Sequence, residues 1–135
     1  MIFVDSNIPM YLVGAPQPVR VDAQVLVERC VAGGERIVTD AEVLQEILHR
    51  YSSIGRKEAI GPALKVLLNL VDEVFPIDRN IVMRASEIVQ GSAGLSARDA
   101  VHLAAMERHR ITRIMSFDSD FDRWPGITRL SSFDA

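Results

Sequence analysis

The sequence is poor in several residue types, and each scarcity excludes a class of protein. Cys30 is the only cysteine among 135 residues, so no internal disulfide can form and a reducing cytoplasm fits best. The strongest apolar run, LKVLLNLV, is interrupted by Lys65 and Asn69 and falls short of the roughly 18 residues that a membrane helix needs. The chain opens with MIFVD, which leaves no room for a charged segment and a cleavage site. We therefore expect neither a signal peptide nor membrane attachment.

Positive charge is also scarce, because 15 lysines and arginines face 18 acids and the formal net charge is −3. Proteins that bind nucleic acids usually carry a basic surplus, so the overall balance is a poor match to that class. A local basic patch is still compatible with residues 98–113, which contain four arginines and two histidines against two acids. Hydrophobic residues make up 48% and charged residues 24%, as in ordinary globular proteins, and we expect one domain spanning residues 1–135.

Short apolar runs alternate with helical patterns along the chain. Four buried strands are predicted at IFV, RIVT, EVFPI and RIMSF, and a fifth strand is predicted at GITRL. Helical spacing between them predicts helices at about residues 21–32, 40–51, 57–71, 78–90 and 96–108. Such alternation implies a parallel sheet covered by helices on both faces, in which ligands bind beyond the carboxyl ends of the strands. Residues that follow the strands, including Asp5 and Asp118, are therefore candidates for a site.

Asp5 follows the first predicted strand in the segment FVDSN. It suits a turn at a strand end, assisted by Ser6 and Asn7, because short polar side chains bond to nearby backbone groups. It equally suits a catalytic or metal-binding carboxylate at the mouth of the sheet, with the same two neighbours orienting it. The segment alone does not distinguish the two interpretations.

Two glutamates lie one turn apart in the segment TDAEVLQEILHRY. Thr39 and Glu42 have the spacing of a capping box, with Thr at the N-cap and Glu at N3, so Glu42 is assigned a structural role. Glu46 is too deep in the predicted helix to cap it and falls just outside the apolar face. That face is formed by Val43, Leu44, Ile47, Leu48 and Tyr51. Glu46 therefore fits either a solvated flank or a carboxylate at the lip of a cleft.

Asp99 lies in the segment GLSARDAVHLAAM, whose small and apolar residues predict a largely buried helix. Ser96 is the predicted N-cap, and Asp99 at N3 has a capping explanation of its own. An acid at the start of a buried helix also points into a confined space, as a metal-binding carboxylate does. His102 shares this helix face, and a core or surface position is a simpler interpretation of it than a partnership with Asp99.

Three acids, Asp118, Asp120 and Asp122, crowd behind the fourth predicted strand. Their spacing resembles a calcium loop, but an EF-hand needs Gly at its sixth position and Glu at its twelfth, and this sequence has arginine at both. A phosphatase of the haloacid-dehalogenase type needs two acids two residues apart after its first strand, and Asn7 stands in place of the second. Neither family accounts for the cluster.

Taken together, these segments resemble the PIN domain family, and within it the VapC-type toxins of prokaryotic type II toxin–antitoxin systems. MIFVDSN is similar to the family's opening strand and D-[ST]-N motif, VTDAEVLQEIL to its second motif, LSARDAVHLAA to its third and IMSFDSDF to its T-x-D segment. The resemblance covers essentially the whole chain and implies a three-layer α/β/α sandwich with a short central parallel sheet. Ser116 replaces the usual Thr and keeps the hydroxyl, whereas Asp122 has no counterpart in the motifs. The four family acids fall on Asp5, Glu46, Asp99 and Asp118.

The resemblance also implies what these side chains do. The implied activity is a metal-dependent ribonuclease, in which the four acids hold one or two ions of Mg²⁺ or Mn²⁺ and in which Asp5 and Asp99 are the first choices for direct ligands. Two carboxylates about 4 Å apart repel each other by about 4 kcal/mol at an effective dielectric near 20, so such a site raises at least one pKa until a cation binds. The implied supporting residues are Ser6, Asn7, Ser116 and Asp120.

The sequence also offers candidates for contacts with substrate and partners. Arg98 beside Asp99, and Arg50 behind Glu46, are candidates for gripping an RNA backbone, although scattered solvated charges explain them equally well. Single-stranded or looped RNA suits best, because its bases are accessible. The resemblance implies a small VapB-like antitoxin and a homodimer. The apolar segments 8–13 and 63–71 are candidates for the antitoxin groove and the dimer surface, with core packing as the alternative.

Two other functions stay open at this point. A housekeeping RNA-processing or structure-specific DNA nuclease can use the same fold, although a chain without extra domains argues against it. A PIN-like binding module without catalysis is the third hypothesis, and the presence of all four acids argues against loss of the site.

Overall fold

Short strands and longer helices alternate through the computed structural model, which describes residues 1–15 and 17–131. The strands are β1 (Ile2–Val4), β2 (Ile37–Asp40), β3 (Glu73–Phe75), β4 (Arg113–Met115) and β5 (Thr128–Leu130). The helices are α1 (Asn7–Leu12), α2 (Pro18–Ala32), α3 (Ala41–Ser53), α4 (Ile60–Leu70), α5 (Arg79–Gly91) and α6 (Ala97–Arg108). The strands predicted from the five apolar runs are confirmed.

The strands of the described residues form a parallel sheet in the order β3-β2-β1-β4-β5, which puts β1 at the centre. Phe3 of β1 pairs with Val38 on one side and with Ile114 on the other. The chain builds outward from β1 through β2 and β3, and then returns to the other side of β1 for β4 and β5. The gap between the carboxyl ends of β1 and β4 is therefore the topological switch point, where ligands of such sheets bind.

The central strands are buried on both faces, as the apolar runs predict. Every residue of β1 and β2 is buried, and Phe3 and Val4 have no exposed surface. Full burial of a side chain such as Phe3 contributes roughly 2 to 3 kcal/mol relative to exposure, which explains why these strands are unbroken hydrophobic runs. The expected three-layer α/β/α sandwich is confirmed. In the described part of the chain, the helices are too short or too polar for any of them to cross a membrane.

The helix predicted at residues 57–71 is divided in the structure. Lys57–Ala59 forms a 3₁₀ turn, and α4 begins only at Ile60. Pro62 then lies in the first turn of α4, where its missing N–H breaks no intrahelical hydrogen bond. The proline thus limits how early the helix can begin.

The starts of α5 and α6 are fixed by the two N-caps that the sequence predicts. The Asp78 carboxylate accepts a hydrogen bond from the N–H of Ile81 at 2.9 Å. The Ser96 hydroxyl accepts one from the N–H of Asp99 at 3.1 Å. Both predictions succeed because a cap is a local feature, set by residues within one turn of each other.

The capping box predicted for Thr39 and Glu42 is wrong. Thr39 belongs to β2 and is fully buried, and its hydroxyl donates to the carbonyl of Val4 at 2.9 Å. The cap of α3 is Asp40, whose Oδ1 accepts from the N–H of Val43 at 2.9 Å. Because the sheet takes the Thr39 hydroxyl, the helix begins one residue later than predicted, and Glu42 is no longer at the position from which it would bond back.

The apolar face of α3 is narrower than predicted. Val43, Ile47 and Tyr51 are buried, whereas Leu48 is 45% exposed. The buried residues are four apart and form a single stripe along the helix, and Leu48 lies outside that stripe.

Candidate metal centre

Asp5 lies just beyond the carboxyl end of β1 and is the most buried of the four predicted acids, with 4% of its surface exposed. Its Oδ1 accepts from the N–H of Ser6 at 2.8 Å, and its Oδ2 accepts from the hydroxyl of Ser116 at 2.6 Å. Burial raises the pKa of Asp5, while the charge of His102 and the Ser116 hydrogen bond offset part of that rise. Since Asp5 also lines a cleft, the local turn and a ligand role are compatible.

Asn7 and Ser116 connect the end of β1 to the loop that follows β4. Asn7 Nδ2 donates to Ser116 Oγ at 3.2 Å, and Asn7 Oδ1 accepts from the N–H of Phe117 at 3.3 Å. Ser116 Oγ accepts in addition from the N–H of Asp118 at 3.0 Å. These bonds hold Asp118 in place relative to Asp5. The supporting role expected of Asn7 and Ser116 therefore has a geometric basis.

Glu46 lies on the second turn of α3 and lines the same cleft as Asp5. Its Oε1 accepts from the hydroxyl of Ser6 at 2.6 Å, and its Oε2 lies 3.4 Å from His102 Nε2. Burial alone would raise the pKa of Glu46, but the hydrogen bonds from His102 and Ser6 outweigh it and lower the pKa. Glu46 is thus an ionised carboxylate at the lip of the cleft, and the solvated-flank interpretation does not fit.

Asp99 lies in the first turn of α6, and its carboxylate is close to those of Asp118 and Asp120. One oxygen of each of these three groups lies within 4.8 Å of the others. Burial raises the pKa of Asp99 to about 6, and the negative charges of Asp118 and Asp5 add to that rise. Neighbouring negative charges make ionisation of an acid less favourable, so part of this rise comes from the closeness of the acids.

The three acids behind β4 have different surroundings. Asp118 lines the cleft, and its Oδ1 accepts from the N–H of Asp120 at 2.9 Å. Asp120 shares the cluster with Asp99, which agrees with a supporting position. Asp122 instead forms two hydrogen bonds of 3.0 Å with Arg129. Its charge is therefore balanced by Arg129, which also donates to the carbonyl of Ser116 at 3.3 Å.

A cleft of about 260 Å³ opens beyond the carboxyl ends of the strands. Arg98 and Arg50 line it together with Asp5, Glu46 and Asp118, so both candidate substrate contacts border the acids. Arg98 Nε lies 3.6 Å from Glu42 Oε1. Glu42 therefore pairs with a cation near the cleft in place of the capping role predicted for it.

Asp40 and His102 belong to the same region, and sequence reasoning does not assign either of them to the site. His102 on α6 is fully buried, and its Nδ1 lies 2.9 Å from Asp40 Oδ2. Burial alone would lower the pKa of His102, but the charge of Asp40 and the neighbouring carboxylates raise the pKa well above its usual value. The neighbouring carboxylates therefore favour the protonated form of the ring. The available signals were that Asp40 ends a strand and that His102 lies one turn beyond Asp99.

The donor set fits a hard divalent cation, which prefers carboxylate oxygens. Atoms of Asp5, Glu46 and His102 lie within 4.8 Å of one another, as do atoms of Asp99, Asp118 and Asp120. The charge of Asp5 also contributes to the raised pKa of Asp99, and Asp118 belongs both to the Asp99 cluster and to the lining of the cleft, so the two groups are neighbours. The structure thus brings all four predicted acids to one end of the sheet.

These features define a class: a parallel α/β domain with acids converging at the topological switch point. A family model described as "PIN domain" matches residues 2–127, and the chain belongs to the PIN domain family and, within it, to the VapC type. The family implies a divalent metal ion. The resemblance that the four motifs predict is confirmed.

Three comparisons give the degree of similarity. Ribonuclease VapC13 of Mycobacterium tuberculosis is 59% identical over 131 residues, which is 97% of this chain and 100% of the relative. The crystal structure of M. tuberculosis VapC20, described as a sarcin–ricin loop cleaving toxin, superposes with a TM-score of 0.74 at 23% identity, covering 90% of this chain and 93% of the other. VapBC2 of Rickettsia felis, bound to a promoter DNA fragment, gives a TM-score of 0.72 at 17% identity over 96% and 98% of the chains.

Proposed function

We propose that this chain is a metal-dependent endoribonuclease toxin that hydrolyses RNA phosphodiester bonds and is neutralised by a cognate antitoxin. The observation that carries the proposal is the placement of the four acids: Asp5, Glu46 and Asp118 line one cleft, and Asp99 forms a cluster with Asp118 beside it. The name of the relative VapC13, and 59% identity over nearly the whole of both chains, support a shared activity. The proposed enzyme is a single domain of residues 1–135. The solitary, buried Cys30 supports a cytoplasmic location.

The four acids have different roles in this proposal. Asp5 and Asp99 are direct ligands of Mg²⁺ or Mn²⁺, because they are the two most buried of the four. Glu46 and Asp118 complete the pocket, either by holding a second ion or by orienting the attacking water. A bound divalent ion acidifies water and stabilises negative charge on the phosphate. The surrounding hydrogen bonds from Ser6 hold the carboxylates in place before substrate arrives, which avoids reorganisation during the reaction.

Arg98 and Arg50 are the proposed contacts to RNA. Both line the cleft beside the acids, where a guanidinium can pair with a phosphate of the backbone. Such contacts release counterions, so binding should weaken as salt concentration rises. Single-stranded or looped RNA is the proposed substrate class, because its backbone can bend into a cleft and its bases are accessible.

The proposed partner is a small VapB-like antitoxin, and the proposed assembly is a homodimer. The similarity to VapBC2 supports a VapB-like partner. The segments 8–13 and 63–71 are divided between core and surface: Ile8 and Leu67 are fully buried, whereas Tyr11 and Leu68 are exposed. Helices α1 and α4 pack against each other, so these exposed side chains belong to one helix pair that is available to a partner.

Asp5→Asn and Asp99→Asn test the proposed centre. Each change removes a charge and keeps the shape of the side chain. Cleavage of total RNA in Mg²⁺ or Mn²⁺ should fall by more than about 100-fold, since loss even of a residue that only supports a ligand costs about 10- to 100-fold. Gel analysis of cleavage with and without added metal measures the effect, and the melting temperature reports whether the fold survives.

Asp122→Asn is the matched control for both variants. It removes an aspartate charge from the same region, but Asp122 is paired with Arg129 and is not part of the acid clusters found among the described residues. We expect it to cleave RNA at the wild-type rate. Full activity of Asp5→Asn or Asp99→Asn would rule out the proposed centre.

A further inference from the structure

Asp40 and His102 form a buried pair behind the cleft, and the proposed reaction gives neither of them a role. Asp40 is the last residue of β2, and His102 lies on the second turn of α6. Both side chains are fully buried, and His102 Nδ1 is 2.9 Å and 3.1 Å from the two oxygens of Asp40. A buried ionic pair is weak evidence for a gain in stability, because desolvation offsets the attraction. The contacts of the pair with neighbouring groups offer another role.

The other nitrogen of the His102 ring faces the acids of the cleft. Nε2 lies 3.4 Å from Glu46 Oε2 and 3.9 Å from Asp5 Oδ1. The second oxygen of Glu46 accepts from the hydroxyl of Ser6 at 2.6 Å, so both oxygens of this carboxylate have a donor nearby. Holding the long side chain of Glu46 in one position over a cleft costs conformational entropy, and these two hydrogen-bond donors offset that cost.

Asp40 in turn is fixed by the backbone. Its Oδ1 caps α3 by accepting from the N–H of Val43 at 2.9 Å, and the same helix carries Glu46 one and a half turns later. His102 therefore joins α6, which carries Asp99, to the start of α3. The chain of contacts runs from a helix cap, through the ring, to a carboxylate that borders the cleft.

We propose that His102, anchored by Asp40, is a positioning residue that fixes the Glu46 carboxylate and thereby sets the affinity of the cleft for its divalent cation. The inference rests on the proposed function for the presence of that cation. Residues that orient metal-binding groups typically change metal affinity by about 10- to 100-fold when they are removed.

Substitution of His102 by asparagine or by glutamine tests the two contacts of the ring, with Asp40 and with Glu46, separately. His102→Asn places an amide near the position of Nδ1, which keeps the contact with Asp40 and loses the contact with Glu46. His102→Gln places its amide near the position of Nε2 and can still donate to Glu46. Binding of Mn²⁺ to the full chain, measured by electron paramagnetic resonance without RNA, should weaken by at least about 10-fold in His102→Asn and by a smaller factor in His102→Gln, which loses the contact with Asp40 and keeps the donor to Glu46.

A double-mutant cycle distinguishes positioning from a general structural effect. If His102 acts through Glu46, adding His102→Asn to Glu46→Gln should weaken Mn²⁺ binding by no more than about 2-fold beyond Glu46→Gln alone. Additive losses, or wild-type Mn²⁺ affinity in His102→Asn, would overturn the inference. His109→Asn is the control histidine variant, because His109 stacks on Phe75 at the opposite end of α6 from Asp99.

Asp40→Ala provides a second route if His102→Asn does not fold. It removes the anchor and leaves the ring, so Mn²⁺ binding should weaken as in His102→Gln; unchanged binding would contradict the proposal. Asp78→Ala is its control, since it removes a helix cap of the same kind from α5.

A wild-type chain that binds Mn²⁺ but does not cleave RNA would refute the proposed function alone. A chain that cleaves RNA while His102→Asn binds Mn²⁺ normally would refute this inference alone.

Discussion

At the scale of single residues, the pKa of Asp99 depends on its burial and on the charges of the neighbouring acids. Its pKa of about 6 lies above the ordinary value of 3.8, because the carboxylate is buried and close to Asp118 and Asp5. The folded protein therefore keeps the Asp99 proton in a range of pH where the unfolded chain has released it. Since the folded state binds more protons there, this group makes the metal-free protein lose stability as pH rises from about 4 to about 6.

We expect Asp99→Asn to remove the loss of folding stability that Asp99 causes in the metal-free protein as pH rises. Near pH 4 the metal-free variant and the metal-free wild type should be similarly stable, because Asp99 is largely protonated in the wild type at about that pH. At neutral pH the variant should be the more stable, by on the order of 1 to 2 kcal/mol, since it no longer buries a charge beside other acids, and this gain is offset in part by loss of a favourable charge at a helix N-terminus. Urea unfolding in a chelator at several pH values measures the difference.

Asp122→Asn should behave in the opposite way in the same experiment. Hydrogen bonding to Arg129 lowers the pKa of Asp122, so its charge favours folding above the ordinary pKa, and this contribution is lost as pH falls. Its removal should slightly destabilise the protein at neutral pH. If Asp99→Asn is also less stable than the wild type at neutral pH, the capping role of Asp99 outweighs repulsion in the site.

At the scale of secondary structure, α6 combines a structural cap with two side chains of the site. Ser96 caps its first turn, Asp99 lies in that turn, and His102 lies in the next. Helix α5 has a cap of the same kind at Asp78 and carries none of the four acids. The two helices therefore make it possible to separate stability from positioning.

We expect Ser96→Ala to lower both stability and RNA cleavage. Loss of an N-cap costs about 1 kcal/mol, or about 4 °C in the melting temperature of a domain this size, and it loosens the turn that carries Asp99. Asp78→Ala should lower the melting temperature and leave the cleavage rate at permissive temperature unchanged. Calorimetry and initial cleavage rates give the two readouts. Equal losses of activity in the two variants would mean that cleavage follows overall stability and not the position of Asp99.

At the scale of the whole molecule, an enzyme with an overall charge of −3 and an acid-lined cleft must reach a polyanion. A bound cation and the two arginines at the cleft, Arg98 and Arg50, would offset the repulsion between these acids and RNA. An antitoxin can inhibit the enzyme at the same cleft, because one of its basic side chains can pair with the acids that would otherwise hold metal. The toxin function is therefore testable in cells.

Expression of the wild-type chain alone should arrest bacterial growth. Asp99→Asn should not, because it lacks a proposed metal ligand, whereas Asp122→Asn should arrest growth like the wild type. Co-expression of a small VapB-like protein encoded beside the gene should restore growth, and viable counts after induction measure both effects. Harmless expression of the wild type would favour an RNA-processing nuclease or a non-catalytic binding module over a toxin.

The sequence alone determined the features that depend on near neighbours. Apolar runs predicted the five strands, and their alternation with helices predicted the parallel sheet. Asp78 and Ser96 were found as caps, since a cap and its partner lie within one turn. Motif order singled out the four acids, whose roles as ligands are predictions for the variants above. These successes share one cause: local spacing and burial leave a direct pattern in the chain.

Only the tertiary structure decided which side chains meet across the sheet. It moved the cap of α3 from Thr39 to Asp40, because the hydroxyl of Thr39 bonds to a neighbouring strand. It paired Asp40 with His102, 62 positions away in the sequence, and gave Glu42 a cationic partner in Arg98. Such contacts follow from strand order, register and helix packing, which no stretch of neighbouring residues encodes, and they supply the charges that set the pKa values in the cleft.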